Sequence, residues 1–484
     1  MTHPSVSGAG WKLITGDCVE VMRAGTADSV DAIVCDPPYG LEFMGKDWDR
    51  LGGNRTSKTG IGERETPWVS PQGWNRYRCA NCGHLPHGGS PCKCGNQQLV
   101  SDNRMLLMQD WHYTWAVEAL RVLKPGGYLL AFGGTRTYHR LVCALEDAGF
   151  EIRDTVAWLY GQGFPKSLNV SKAIDKAAGA KREVVGTKVG QPGYSLGQMD
   201  NPGGVAMEGN INGSLRHPEA ECAVTAPATP DAARWEGWGT ALKPAFEPIV
   251  VARKPLSERT VAANVLRWGT GALNIDACRI EGPLDPANEK RIGRDYTTEE
   301  SNFGDSAPMG QKTHAVVGGN PAGRWPANVA LDEEAAVLLD EQAGKLHAPA
   351  NQGTDRTGCG GIWKGGAGGP AGYSGFSDSG GASRFFYVAK AGKKERNAGL
   401  PEDEKNDHPT VKPVALMRWL CRLVTPPSGR VLDPFTGSGS AGVAALQEHF
   451  EYIGIEKEPA YCAIAVARLW AAEDSVSDAK RQEE

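Results

Sequence analysis

The stretch Asp31-Ala32-Ile33-Val34-Cys35-Asp36-Pro37-Pro38-Tyr39-Gly40 joins a short apolar run to an acid, two prolines and an aromatic ring. The length and β-branched content of the run predict a buried strand, and because prolines cannot continue a hydrogen-bonded ladder the strand ends at Asp36. Each proline fixes its own φ and pushes the preceding residue to an extended conformation. One carboxylate, one backbone carbonyl and one ring are thereby held in fixed relation. The Asp36 carboxylate and the Pro37 carbonyl are both acceptors, Pro38 shapes the turn, and Tyr39 offers a flat face. Such a pair suits the two hydrogens of an amine conjugated to a ring, such as the exocyclic amine of adenine or cytosine. Accepting both hydrogens draws the nitrogen towards a tetrahedral geometry and frees its lone pair for attack. A base lifted from its stack could lie on the tyrosine. The plain alternative is a tight turn with Asp36 as a cap.

A second constellation lies in Val431-Leu432-Asp433-Pro434-Phe435-Thr436-Gly437-Ser438-Gly439-Ser440-Ala441-Gly442. Gly437, Gly439 and Gly442 satisfy G-x-G-x-x-G directly after a strand-like run and at the start of a helix-like one, where the backbone can approach a ligand at a positive helix end. Glu456, about 20 residues on, closes the next strand-like run, where an acid can bind both ribose hydroxyls of an adenosine. The spacing predicts an adenosine cofactor. A nicotinamide dinucleotide would lodge its diphosphate on the glycines, whereas S-adenosylmethionine would offer its amino-acid portion. If Asp36 and Asp433 end parallel strands of one open sheet, both lie along its carboxyl edge and the two motifs face one another.

A third cluster, Cys79-Ala80-Asn81-Cys82 followed by Cys92-Lys93-Cys94, puts four thiols on two tight turns. Cys79, Cys82, Cys92 and Cys94 fit a tetrahedral structural Zn2+ of the ribbon type, with a C-x-C half in place of the usual C-x-x-C, and His84 or His87 as substitute ligands. A closed four-sulfur site leaves no open position for chemistry, so its role would be to fold an insertion at about 75–100. The eight other cysteines are scattered singly among apolar or loop residues.

The elements that must position these groups are those of an α/β chain. Strand-like and helix-like runs alternate over the first 160 residues, the pattern of a parallel sheet flanked by helices. Trp111, Trp115, Ala119 and Val122 are at helical spacing ahead of Pro125-Gly126-Gly127. Strands are predicted around 11–17, 31–36, 128–134, 150–160, 245–255, 430–433 and 451–456. Helices are predicted over 331–344, ended by Gly344, and from 408 to 424, entered through prolines. Segments from about 161 to 240 and 350 to 383 are rich in Gly, Pro, Ser and Asn and read as loops.

The 484 residues suffice for two or three domains, and no stretch is apolar enough to cross a membrane. The first residues lack the apolar run of a signal peptide, so a cytoplasmic protein is expected. A net charge of −5 gives no support for a nucleic-acid partner, although basic residues gather at 253–259 and 390–396.

Together the motifs resemble the amino-group DNA methyltransferases that make N6-methyladenine or N4-methylcytosine, in the permuted β-type order with the Asp-Pro-Pro-Tyr-Gly turn ahead of the glycine loop. Segments at 14–22, 121–132, 408–413 and 452–469 are similar to that family as well. The resemblance implies a Rossmann-like core that takes S-adenosylmethionine and acts on a flipped base of double-stranded DNA. It implies Asp36, Pro37 and Tyr39 around the target amine. It also implies Asp433, Phe435, Gly437 and Gly439 around the methionine part of the cofactor, and Glu456 on its ribose. Asp17 would lie near the cofactor's adenine, with Thr410 and Lys412 near its carboxylate. A plain alternative for Lys412 is a surface lysine in a first helical turn.

The implied division is a catalytic half at 1–175, a loop-rich target-recognition region at 176–400 carrying one core strand near 245–255, a cofactor-binding half at 401–475 and a charged tail at 476–484. Residues 158–176 resemble a family element near the target pocket. Adenine N6 is favoured over cytosine N4 because the turn begins with Asp rather than Ser. C5 methylation of cytosine would need a nucleophilic cysteine after proline, and the only Pro-Cys pair, Pro91-Cys92, belongs to the metal cluster. The rival from another class is a zinc-bearing DNA-binding protein without activity. A homodimer and a cognate restriction nuclease are the further partners left open.

Overall fold

The computed structural model describes residues 3–39, 78–79, 99–100, 104–161, 163, 167–189, 221–281, 323–348, 378–389, 395–401 and 404–483. They form two compact units, one from residues 1–161 and 246–484, the other from 162–245.

The larger unit is built on one mixed sheet. Its strands are β1 (Ser5–Gly8), β2 (Trp11–Thr15), β3 (Val30–Cys35), β4 (Leu123–Phe132), β5 (Glu151–Leu159), β6 (Phe246–Arg253), β7 (Val329–Asp332), β8 (Tyr387–Ala389), β9 (Arg430–Asp433) and β10 (Glu451–Glu456). Their order across the sheet is β1-β2-β10-β9-β3-β4-β6-β5-β7-β8. Strands β2, β10, β9, β3 and β4 are parallel neighbours. Only β6 runs against both of its neighbours, β4 and β5. The reversal matters for chemistry: the amino end of β6 arrives at the edge where β3, β4, β5, β9 and β10 have their carboxyl ends.

All six residues of β3 are buried, as expected of a parallel strand covered on both faces. Ala32 and Val34 join a core with helices α6 (Val414–Val424), α7 (Ser440–Gln447) and α8 (Pro459–Glu483). Ile33 and Cys35 face the opposite core, formed by α1 (Cys18–Ala24), α2 (Arg104–Val122) and α3 (Tyr138–Ala148). This two-residue alternation fixes the register, because a slip by one position would exchange the two cores. Trp115, Ala119 and Val122 of α2 are buried and Trp111 packs against them, so the helical spacing marks the inner face as the sequence indicates.

Three differences from the sequence reading have local causes. Helix α2 begins at Arg104, and β4 begins at Leu123 with no intervening turn. The Lys124-Pro125-Gly126-Gly127 segment, expected to close the helix, lies inside β4 as a bulge: Val30 pairs with Leu123 and Ala32 with Tyr128. Gly126 takes φ 81°, a left-handed value open to glycine. The Pro125 carbonyl leaves the ladder and accepts from Asn264 Nδ2 at 2.8 Å and Thr270 Oγ1 at 2.7 Å. The region assigned to target recognition also contributes β7 and β8 to the sheet, besides the strand expected near 245–255. Helix Glu333–Ala343 ends at Gly344 as its sequence indicates.

The smaller unit holds a helix, Val170–Ala177, a hairpin of Val184–Val189 with Glu221–Thr225, and a short helix, Pro230–Arg234. Asp175, 1% exposed, ties them together. It accepts from the backbone N–H groups of Ala228 and Thr229, each at 3.0 Å, and from Arg182 Nη1 at 2.8 Å.

Candidate active site

Asp36 follows β3 directly, and the turn that the prolines stiffen brings Tyr39 back over it. The Tyr39 hydroxyl lies 2.9 Å from Asp36 Oδ1 and 3.0 Å from Glu247 Oε2. Lys412 Nζ is 2.9 Å from Asp36 Oδ2, 3.0 Å from the same Glu247 oxygen and 3.2 Å from the Tyr39 hydroxyl. The ammonium also sits 4.8 Å from the centre of the Phe132 ring. Burial disfavours the charged lysine, but Asp36 and Glu247 outweigh it and raise its pKa, so Lys412 stays protonated. The Tyr39 hydroxyl is held neutral by burial, with both carboxylates adding to the effect. Two acids, one ammonium and one hydroxyl thus form a closed polar cluster at the sheet edge.

Lys412 is therefore engaged with Asp36 and Glu247, which differs from its expected place at a cofactor carboxylate and from a surface lysine alike. Its side chain is 7% exposed. Glu247 carries no motif signal and escaped sequence reasoning. The one available hint was an acid at the start of the apolar run Phe246-Glu247-Pro248-Ile249-Val250-Val251, where the reversed strand β6 delivers it to the edge.

Behind the turn, Pro38 and Tyr39 line a narrow cleft together with His112 and Thr137. His112 Nδ1 accepts from Trp115 Nε1 at 3.0 Å, while its Nε2 has no partner. Burial lowers its pKa to about 3, so the imidazole is neutral.

Asp433 ends β9, the immediate neighbour of β3, with Leu432 opposite Ile33. It is 3% exposed and its Oδ1 accepts the Phe435 N–H at 3.0 Å. Burial pushes its carboxyl up to about 8, against that hydrogen bond, and the charges of Asp36 and Glu456 add to the rise. Phe435 packs its ring between Trp111 and Trp115 of α2, at 5.7 and 5.2 Å.

The glycine loop turns back on β10. Gly437 donates its N–H to Glu456 Oε2 at 2.7 Å, and Glu456 Oε1 accepts from the Glu458 N–H at 2.8 Å. Gly437 has φ 52°, and a Cβ there would come within 2.7 Å of His408 Nε2. Gly439, at φ 82°, is the N-cap of α7 and supplies no side-chain cap. From α8 the buried Arg468 reaches in, donating through Nη1 to the Ser438 carbonyl at 2.6 Å and to Ser440 Oγ at 3.2 Å. Arg468 also escaped the sequence reading, although an arginine inside an apolar helical run is a usable signal.

The remaining candidates spread along the same edge. Asp17 caps α1, accepting from the Val19 N–H at 3.0 Å, one residue beyond Gly16, whose N–H donates to the Glu456 carbonyl. The Thr410 N–H lies 3.4 Å from His408 Nδ1, and the His408 ring meets Tyr461 at 4.6 Å between centres. Of the cysteine cluster, only the backbone around Cys79 is described: Arg78–Cys79 pairs antiparallel with Leu99–Val100, which brings together the two ends of the segment holding the other three. Cys82, Cys92 and Cys94 lie outside the described residues, and no metal-binding group occurs among those described. Burial raises the thiols of Cys18, Cys35, Cys278 and Cys421, which disfavours the thiolate a nucleophile needs. No described helix is long and apolar enough to cross a membrane.

Comparison with known proteins bears on this edge as a whole. The family model described as DNA methylase, for N6 and N4 enzymes, matches residues 30–180 and 227–467 and so includes both strand tips. The type II methyltransferase M.HindIII of Haemophilus influenzae is 24% identical over 297 residues, covering 60% of this chain and 74% of that protein. M.Cfr9I of Citrobacter freundii is 32% identical over 106 residues, 20% of this chain and 35% of its own. The solved PvuII cytosine-N4-specific DNA methyltransferase aligns over 97% of this chain and 90% of its own at 12% identity, with a TM-score of 0.38. With the family match running through the Asp36 turn, β6, Lys412 and the glycine loop, the chain belongs to the N6/N4 DNA methylase family.

Proposed function

We propose that this protein transfers a methyl group from S-adenosylmethionine to the exocyclic amine of a base flipped out of double-stranded DNA, with adenine N6 as the preferred target. The observation that carries the reading is the adjacency of two strand tips. Asp36 and Asp433 end neighbouring parallel strands, so an acceptor for an amine and a glycine-rich loop share one edge of the sheet. The loop suits the cofactor: Gly437 and Gly439 present bare backbone, packed against His408 and Ala465, and the first turn of α7 has no side-chain cap to compete for a carboxylate. Asp433, Phe435, Gly437, Gly439 and Thr410 would surround the methionine portion, Glu456 the ribose and Asp17 the adenine. S-adenosylmethionine supplies an electrophilic methyl group. The chain's own part is to grip the amine through Asp36 and the Pro37 carbonyl, stack the base on Tyr39 and exclude water. Burial disfavours the thiolates of Cys18, Cys35, Cys278 and Cys421, and the amine itself is the nucleophile.

Incubation with labelled S-adenosylmethionine and duplex DNA, followed by nucleoside digestion, tests the proposal. Label in N6-methyldeoxyadenosine is expected; label in N4-methyldeoxycytidine would keep the reaction and change the base. Absence of label from DNA would leave the rival, a DNA-binding protein without activity. We also assign one structural zinc to Cys79, Cys82, Cys92 and Cys94. Elemental analysis should find one zinc per chain, lost in a Cys79→Ser and Cys82→Ser double variant. The work of the enzyme would be done in the cytoplasm, with DNA as its partner.

A further inference from the structure

The cluster around Asp36 holds two carboxylates against one ammonium, and is therefore one proton short of neutrality in a partly dehydrated setting. Methyl transfer to an amine releases one proton. We propose that Glu247 is the resting place of that proton, reached through Asp36 and the Tyr39 hydroxyl; the inference rests on the methyltransferase reading above.

The step balances as follows. The nitrogen lone pair forms the N–CH3 bond while the S–CH3 bond breaks, its electron pair staying on sulfur. The nitrogen, now cationic, gives a proton to Asp36. Asp36 Oδ1 passes it to the Tyr39 oxygen as the Tyr39 proton moves to Glu247 Oε2, distances of 2.9 and 3.0 Å. Tyr39 ends as it began, Asp36 is a carboxylate again, and the cluster has become neutral.

Two observations make Glu247 the acceptor in place of Asp36. Asp36 has Lys412 on Oδ2 and the Tyr39 hydroxyl within reach of Oδ1, and gains a further donor when an amine binds; the hydroxyl has one proton and serves Asp36 or Glu247 in turn. The two groups within reach of Glu247, Lys412 and the Tyr39 hydroxyl, both lie at Oε2, and Oε1 has no partner among the described residues. A proton arriving on Glu247 leaves it one oxygen without a donor to displace, whereas on Asp36 both oxygens already face a donor. The charged and titratable groups facing Glu247 are Asp36 from the β3 tip, Tyr39 from the turn, Lys412 from the segment ahead of α6 and Tyr160 after β5. Glu247 touches none of the reacting atoms, so its role is that of a positioning residue and proton acceptor.

The test compares wild type, Glu247→Gln and Glu247→Asp in single-turnover methylation of duplex DNA across a pH series. Cofactor binding is measured by calorimetry, and carboxyl protonation by infrared spectroscopy of the cofactor-free protein. Glu247→Gln should slow transfer roughly 100-fold or more, the usual scale for losing a proton acceptor, with Glu247→Asp recovering at least about tenfold. The wild-type rate should fall on the acid side, where the cluster is already protonated, and Glu247→Gln should lose that limb together with the matching carboxylic-acid band. S-adenosylmethionine affinity should stay within about threefold of wild type, since the glycine loop is untouched. A Glu247→Gln rate close to wild type, an unchanged infrared band or a parallel loss of cofactor binding would each overturn the role given to Glu247. If wild type itself does not methylate DNA, the methyltransferase reading fails first and takes this inference with it.

Discussion

Asp36-Pro37 and Asp433-Pro434 stand at the carboxyl ends of two hydrogen-bonded neighbours in the sheet, and each pair is followed by a turn that aims an aromatic ring. Their acids nevertheless differ in state. Asp36 has an ammonium at 2.9 Å and a hydroxyl at 2.9 Å. Asp433 has no ion-pair partner among the described residues, accepts a backbone N–H, and is pushed by burial up to about 8. The same dipeptide on the same edge thus meets an ammonium in one place and, in the other, holds an acid still protonated near neutrality. What distinguishes the two tips is what other elements bring to them: Lys412 and Glu247 converge on β3, while hydrophobic rings and a glycine loop close over β9.

Breaking the first tip should have the largest effect. Asp36→Ala removes the acceptor aimed at the amine and is expected to lower single-turnover transfer by about 1,000-fold or more, with S-adenosylmethionine affinity nearly unchanged. Wild-type turnover in that variant would refute the assignment. Lys412→Met comes next. It leaves Asp36 and Glu247 facing each other without their cation, and removing one member of a buried pair typically costs about 3 kcal/mol or more of stability. Denaturant unfolding should show that loss, and pairing Lys412→Met with Glu247→Gln should return part of it, because the two positions share one interaction.

How much of this was readable in advance follows from the range of the interactions concerned. The buried run of β3, the spacing on α2, the glycines after β9 and the acid ending β10 are local patterns, and each appears in the structure where its sequence indicates. The electrostatic pairing is not local. Lys412 lies in a Pro-rich segment whose spacing says nothing of direction, and Glu247 reaches Asp36 only because β6 runs backwards between β4 and β5. The bulge in β4 was hidden for a similar reason: Pro125 ends a helix in most settings, and its carbonyl is satisfied here by Asn264 and Thr270 from elsewhere in the chain. Arg468 stood out as an arginine in an apolar helical run, but its partners Ser438 and Ser440 lie about 30 residues away and no local spacing names them.

At the second tip, Gly437→Ala should have an intermediate effect. The residue has φ 52°, and its new Cβ would come within 2.7 Å of His408 Nε2, a ring already packed on Tyr461. A left-handed conformation costs a non-glycine residue roughly 1–2 kcal/mol, so cofactor affinity should weaken about tenfold as the loop shifts. An affinity equal to wild type would mean that the glycine loop does not need a bare backbone at this position.

Asp433→Asn should have the smallest effect on cofactor binding at neutral pH, and it separates the two tips most cleanly. An amide is close in shape to a protonated carboxyl group, so a change below about threefold in affinity is expected there. The difference should emerge with rising pH. An acid raised to about 8 by folding holds its proton in the native state while the unfolded chain has already released it. Between about pH 4 and about pH 8 the native state therefore binds more protons than the unfolded one, and wild-type stability declines as pH rises. Asp433→Asn lacks this term, so its stability relative to wild type should grow steadily over the same interval. Urea unfolding of the cofactor-free proteins at several pH values measures the trend, and a flat difference between Asp433→Asn and wild type would show that burial does not hold a proton on Asp433.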